Sequence, residues 1–294
     1  MRNSSPSSGT SSGQAQRLDL SGFSNSAPAQ PLRLLFLHHS VGGQWLAAPG
    51  PEEGTNPICA TNPNGGSLRA ALQSQGYQVH EASYGSRIGE NTDIFDWPGK
   101  FRDQMDAILA CDLQNQSYTN GERNQVVMFK SCFPNNDFRG PGRPPGNAAG
   151  PELTIWNARA AYASLLEQFR KHPDVLFVCV TAPPLAAKPF PSPLWKRAVK
   201  ALLGRSNDYT DRAALAREFN NWLSSTNGWL AEAPRNVVVF DYYDVLTGHG
   251  ASNLSVYSTV DGYDSHPSAE GNRRATEEFI PFLNRAVQRA GIAP

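Results

Sequence analysis

Leu32-Arg-Leu-Leu-Phe-Leu-His38, followed without a break by His39-Ser40-Val41-Gly42-Gly43, decides the fold. The first seven residues are a nearly continuous apolar run, as a strand buried on both faces of a sheet requires. The next five are mostly small or polar, the composition of a turn leaving a strand. The pattern recurs four times: in the alternating Tyr77-Gln-Val-His-Glu-Ala-Ser83 and in residues 125–130, 175–181 and 236–241. Between these runs lie stretches with helical spacing, at residues 68–75, 100–110, 156–172, 210–225 and 269–290. Trp156, Ala160, Ala163, Leu166 and Phe169 form one such stripe, and Pro281 is expected to kink the last helix. Strands alternating with helices predict an α/β domain over residues 32–294, with a parallel sheet covered on both faces.

Composition narrows the function classes. The chain has 294 residues with Lys+Arg and Asp+Glu equal at 26 each. That balance argues against a protein driven by a basic surface made for nucleic acid or for anionic lipid. No apolar run is long enough to span a membrane. Fifteen of residues 1–31 are Ser, Gly or Pro, which predicts a disordered tail. The tail lacks an apolar core of the signal-peptide type, so the protein is expected in the cytoplasm, or outside it where a signal has been removed. Cys59, Cys111, Cys132 and Cys179 show no C-x-x-C spacing, so no structural zinc site is expected, and a pairing of Cys59 with Cys111 stays open. The intervals 41–66, 134–155, 182–209 and 242–268 read as long functional loops.

In an open α/β sheet, ligands bind beyond the carboxyl ends of the strands. His38-His39-Ser40 follows the first strand, Ser83-Tyr84-Gly85 the second, and Pro134-Asn135-Asn136-Asp137 the third. Beyond the fifth, the chain runs to Asp261-Gly-Tyr-Asp264-Ser265-His266-Pro267, ahead of the last helix. A Ser, a Gly turn, an Asn pair and an Asp/His pair thus fall on one rim. Acyl transfer by a serine nucleophile needs these types: Ser40 to attack, His266 as base, a carboxylate to hold the imidazole, and donors for the oxyanion. The donors expected are the backbone N–H groups of Ser40 and Gly85 and the side chain of Asn135 or Asn136. Asp264 is the favoured acid, because residues two apart in extended chain point to the same side; Asp261 is the fallback. His39, Trp45 and Tyr84 are candidate substrate contacts.

These blocks resemble the SGNH (GDSL-like) hydrolase superfamily over residues 32–285. Ser40 matches the nucleophile block, Gly85 the glycine block, Asn135 or Asn136 the asparagine block and His266 the histidine block. Phe129-Lys-Ser-Cys-Phe-Pro-Asn-Asn136 and Ile88-Gly-Glu-Asn-Thr-Asp93 also resemble a bacterial subgroup of that superfamily. The family's Gly-Asp-Ser stands here as His38-His39-Ser40, and its acid position, three before the histidine, is Tyr263. The resemblance implies a three-layer α/β/α sandwich of flavodoxin-like type with a five-stranded parallel sheet. It implies a cofactor-free esterase acting on short-chain esters, such as O-acetyl groups on a glycan.

Plainer readings stand beside these. Ser40 would cap a helix beginning near Val41, and Asn135-Asn136-Asp137 is ordinary turn composition. Gly85 would satisfy a turn with positive φ, His266 before Pro267 would be a turn residue, and Trp45, Trp97 and Tyr84 would be core. His38 and His39 are expected to diverge, one buried and one near the site, which disfavours a shared metal. His249 is a rival base. A non-catalytic glycan-binding module on the same scaffold is the alternative from another class. A metal-dependent phosphoesterase using Asp137, Asp241 and Asp244 is a third.

Overall fold

The computed structural model describes residues 16–55, 58–190 and 209–292. In chain order the elements are β1 (Leu32–Leu37), α1 (Ser40–Leu46), β2 (Ala48–Pro49), β3 (Glu53–Thr55), β4 (Ile58–Asn62), α2 (Leu68–Ser74) and β5 (Tyr77–Ala82). Then come α3 (Trp97–Asp103), α4 (Met105–Ala110), β6 (Val126–Lys130), α5 (Ile155–Arg170), β7 (Leu176–Val180) and α6 (Tyr209–Leu223). The last are β8 (Val237–Phe240), α7 (Tyr242–Leu246), β9 (Ser258–Thr259), β10 (Asp264–Pro267) and α8 (Ala269–Ala290).

The central sheet has five strands in the order β5-β1-β6-β7-β8, all parallel. Alternation along each strand divides its side chains between two apolar layers. Leu35, Leu37, Val127, Phe129, Phe177 and Cys179 face a cluster built with α3, α4, α5 and α6. Leu34, Phe36, Val126, Met128, Leu176 and Val178 face the other, built with α1, α2, α7 and α8. This is a three-layer α/β/α sandwich.

The chain leaves β1 outward to β5 and then returns across it to β6. That reversal opens a crevice at the carboxyl end of β1, where doubly wound folds bind ligands. Ser40 stands at that end, as the first residue of α1.

Several expectations need correction. Residues 16–31 lie on the domain, with Leu20 buried in the second apolar layer and Arg17 paired with Asp241, because a few apolar anchors outweigh a polar composition; residues 1–15 lie outside the described residues. The interval 41–66 holds α1 and a three-stranded sheet of order β2-β4-β3, and 242–268 holds α7 and the β9/β10 hairpin. Most of 182–209 lies outside the described residues. Helix α8 is one element through Pro281. The carbonyl that Pro281 cannot reach belongs to Glu277, an exposed residue on the solvent side of the helix. Cys59 and Cys111 are both free thiols.

Candidate active site

Ser40 is reached through a tight exit from β1. The ring of His38 is fully buried and held at both nitrogens, by Glu81 Oε2 at 2.9 Å and by the carbonyl of His39 at 2.9 Å. Arg69 binds the other oxygen of Glu81. Gly42 lies directly over His38, where any Cβ would come within 2.3 Å of the histidine's own Cβ. Helix α1 therefore starts against the sheet edge, and its first N–H, that of Ser40, has no partner within the helix.

The hairpin β9/β10 brings the other half. In β10 the buried residues are Ser265 and Pro267, so Asp264 and His266 share the opposite side. Ser40 Oγ lies 3.0 Å from His266 Nε2, across 226 residues of sequence. His266 Nδ1 lies 2.8 Å from Asp264 Oδ1, which also accepts the His266 backbone N–H at 3.0 Å. Nδ1–H donating to the carboxylate leaves Nε2 as the acceptor facing the hydroxyl. The imidazole and the carboxylate keep 24% and 34% of their side-chain surface, so a ligand can reach them. Partial burial pushes the Asp264 carboxyl up, but the N–H, ring and charge of His266 and the Thr259 hydroxyl outweigh it, and the group sits below the usual carboxylate range. Phe133 packs edge-on to the imidazole, with ring centres 5.2 Å apart.

The donor candidates divide. Asn136 is buried and spends both amide hydrogens on the carbonyls of Ala182 and Pro183, while its oxygen accepts from Asn220. Asn135 gives one amide hydrogen to Asp93 Oδ1 at 2.7 Å and accepts the Ile94 N–H, which leaves its second hydrogen unassigned. Gly85 takes the positive φ that its turn needs, +81°, and its N–H donates to the Glu90 carboxylate at 2.5 Å.

His39 Nε2 donates to the carbonyls of Gly89 and Glu90, and its ring stacks on Tyr84 at 3.7 Å, so it braces the Gly85 turn. Burial holds its pKa below the usual value, with charge from Lys130 and His38 acting the same way. Tyr84 keeps 42% of its surface, and burial of the remainder is the main cause that pushes its phenol up to about 12. Trp45, a candidate substrate contact on sequence, is core. It is 0% exposed, donates to Thr276 and stacks on Tyr242, because α1 points residues 41 and 45 inward on one face. Asp261 is exposed at the hairpin tip, in the turn ahead of β10. His249 sits between Asp244 and Glu278 on the α7–α8 flank.

The carboxylates that motivated a metal reading are taken up by cations: Asp137 by Arg212, Asp241 by Arg17, and Asp244 by Arg217. Among the described residues, no group of three or more His, Cys, Asp and Glu gathers around a point that could hold an ion. Among the same residues, no helix is long and apolar enough to cross a membrane. Sequence reasoning assigned no role to Glu90, Asp93 or Phe133. Glu90 and Asp93 lie in the run quoted for its family likeness, and that likeness was the available signal.

No family model matches the chain, and no curated protein matches it. Among solved structures, a candidate acylhydrolase of Bacteroides fragilis is 15% identical, with 88% of this chain and 93% of that one covered and a TM-score of 0.41. A carbohydrate esterase family 2 enzyme with a carbohydrate-binding domain, from Corynascus thermopiles (Myceliophthora fergusii), is 16% identical. Its coverage is 89% of this chain and 67% of that one, with a TM-score of 0.43. At such identities and TM-scores these likenesses assign no activity to this chain.

Proposed function

We propose that this protein is a serine hydrolase of the esterase type. The observation that carries the reading is the relay from Ser40 Oγ through His266 to Asp264, at 3.0 and 2.8 Å. Ser40 attacks the acyl carbon as its proton passes to His266 Nε2, and Asp264 stabilises the imidazolium. The oxyanion takes the Ser40 N–H and the second amide hydrogen of Asn135, joined by the Gly85 N–H once the Glu90 carboxylate withdraws. The imidazolium gives its proton to the departing alkoxide, leaving an acyl group on Ser40. Water then attacks that ester with His266 again the base, releasing the acid and restoring the hydroxyl. None of these steps calls for a cofactor. The substrate class that fits this chemistry is a small acyl ester, such as an O-acetyl group on a carbohydrate.

A fluorophosphonate probe and 4-nitrophenyl acetate test the reading. Wild type is expected to label and to hydrolyse the ester. Ser40→Ala is expected to lose labelling and to fall by about 10³-fold or more in kcat. One observation favours a second reading, a glycan-binding module: Gly85 N–H is engaged by Glu90 and Asn135 is tied to Asp93, so the donors are partly occupied. Folded wild type that neither labels nor turns over, yet binds an acetylated glycan, would establish it.

A further inference from the structure

His38 is a buried imidazole two residues ahead of the nucleophile, and the relay does not use it. Its own backbone is tied to the turn after β5: the N–H donates to the Ala82 carbonyl at 3.2 Å, and the carbonyl accepts the Ser83 hydroxyl at 2.6 Å. The far nitrogen of its ring, Nε2, lies 2.9 Å from Glu81 Oε2, with one proton between them. Arg69, from α2, grips the other oxygen of Glu81. The ring therefore has a fixed position relative to β1 and β5.

The near nitrogen reaches Ser40 through a peptide. Nδ1 lies 2.9 Å from the His39 carbonyl oxygen. A carbonyl only accepts, so Nδ1 carries a proton and donates it. The same oxygen accepts the Gly42 N–H at 2.8 Å and the Gly43 N–H at 3.2 Å. Those two donors belong to α1 and move with it, whereas the imidazole belongs to the sheet. The His39 carbonyl and the Ser40 N–H are the two ends of one trans peptide, and in a planar unit they point opposite ways. Fixing the oxygen against the sheet fixes the direction of the N–H that the esterase reading gives to the oxyanion. A donor on the carbonyl also polarises the amide, which makes its N–H the stronger donor.

We propose that His38 is a positioning residue, which aims the Ser40 N–H at the oxyanion by holding the His39 carbonyl through Nδ1. This role rests on the esterase reading above and adds to it a residue that touches no reacting atom.

Two variants separate the two bonds of the ring. Counted from Cβ, the asparagine amide nitrogen takes the place of Nδ1 and the glutamine amide nitrogen that of Nε2. His38→Asn thus keeps the hold on the His39 carbonyl and gives up Glu81, whereas His38→Gln keeps Glu81 and gives up the carbonyl. On 4-nitrophenyl acetate, His38→Gln is expected to lose about tenfold or more in kcat with KM within about twofold of wild type, as a misaimed transition-state donor does. His38→Asn is expected to keep kcat within about threefold of wild type. In denaturant the order reverses: His38→Asn leaves a buried carboxylate with one partner fewer and is expected to unfold at the lower concentration. A residue that served only the fold would lose activity in the order in which it loses stability. Equal losses of kcat in the two variants, or the larger loss in His38→Asn, overturn the proposal while leaving the esterase standing.

A measurement on wild type covers variants that do not fold. A fluorophosphonate adduct on Ser40 puts its phosphoryl oxygen against the oxyanion donors. The His38 Nδ1–H proton resonance is then expected to move downfield from its position before labelling, because a loaded N–H strengthens the bond at the other end of its peptide. An unmoved resonance overturns the proposal. Wild type that neither labels nor hydrolyses overturns the esterase reading, and the role of His38 with it.

Discussion

Asp264 and Asn135 show how much one side chain can be asked to explain. Asp264 receives both the ring N–H and the backbone N–H of His266 on a single oxygen, so it fixes the imidazole's tautomer and its angle together. Asp264→Asn is therefore expected to lower kcat on 4-nitrophenyl acetate by about 10²- to 10⁴-fold with the fold intact. Asp261→Asn, at an exposed tip, is expected to leave kcat within about twofold of wild type, since surface changes away from a site do little. Equal losses in the two variants would contradict the assignment. The adjacent asparagines should part in a complementary way. Asn136→Ala orphans two buried carbonyls and the Asn220 amide, and denaturant unfolding is expected to show a loss of about 2–3 kcal/mol. Asn135→Ala is expected to cost less stability and about 10²-fold in kcat, as loss of one oxyanion donor does.

At the scale of elements, the first turn of α1 is where packing and chemistry meet. In an isolated helix Gly→Ala stabilises by about 1 kcal/mol. Here the added methyl would meet His38, whose ring is pinned by Glu81 and by the His39 carbonyl and cannot swing aside. Gly42→Ala is accordingly expected to destabilise by about 1–3 kcal/mol net and to slow fluorophosphonate labelling, because relief of the clash moves the turn that carries Ser40. A variant that unfolds at higher denaturant and labels normally would sink the account. The same elements show why the fold was legible. Strands β6, β7 and β8 are buried along their whole length, so their β-branched runs announce themselves without periodicity. The expected helix over 100–110 is in fact α3 and α4, parted at Gln104, a boundary that no residue in the run marks. Strands of two to five residues, as in β2–β4 and β9/β10, carry too few side chains to show a period at all. The pair Asp264/His266 was still readable, since i, i+2 in extended chain is local geometry. The contacts of Glu90, Asp93 and Phe133 were not, because each depends on which loop the sheet order places opposite.

The whole molecule decides what neither residues nor elements can: β1 sits inside the sheet between β5 and β6, and that order brings residues 40 and 266 to one crevice. The close packing that achieves this buries charge away from the site. Lys100 is almost inaccessible on α3, with its amine donating to the Ile88 carbonyl and lying 5.7 Å from the Trp97 ring. Burial lowers its pKa from 10.5 to about 8, against the pull of Asp96 and Glu90. Below pH 8 the amine is charged both folded and unfolded, and the folded state carries a desolvated cation at a cost of about 3 kcal/mol. Between pH 8 and 10.5 the folded protein releases that proton while the unfolded chain keeps it, so this contribution to stability rises with pH. Cys111, which burial pushes up to about 12, and Tyr77, which burial also raises, work in the opposite direction at high pH. They do so equally in a Lys100→Met variant, so the difference between variant and wild type isolates the lysine. The lost bond to Ile88 adds an offset to that difference that does not depend on pH. Denaturant unfolding at several pH values is therefore expected to show the stability of Lys100→Met relative to wild type falling by about 2–3 kcal/mol between pH 7.5 and 10.5. A difference that stays flat over that interval would mean that the amine titrates as it does in water and that α3 is more open at Lys100 than its packing implies.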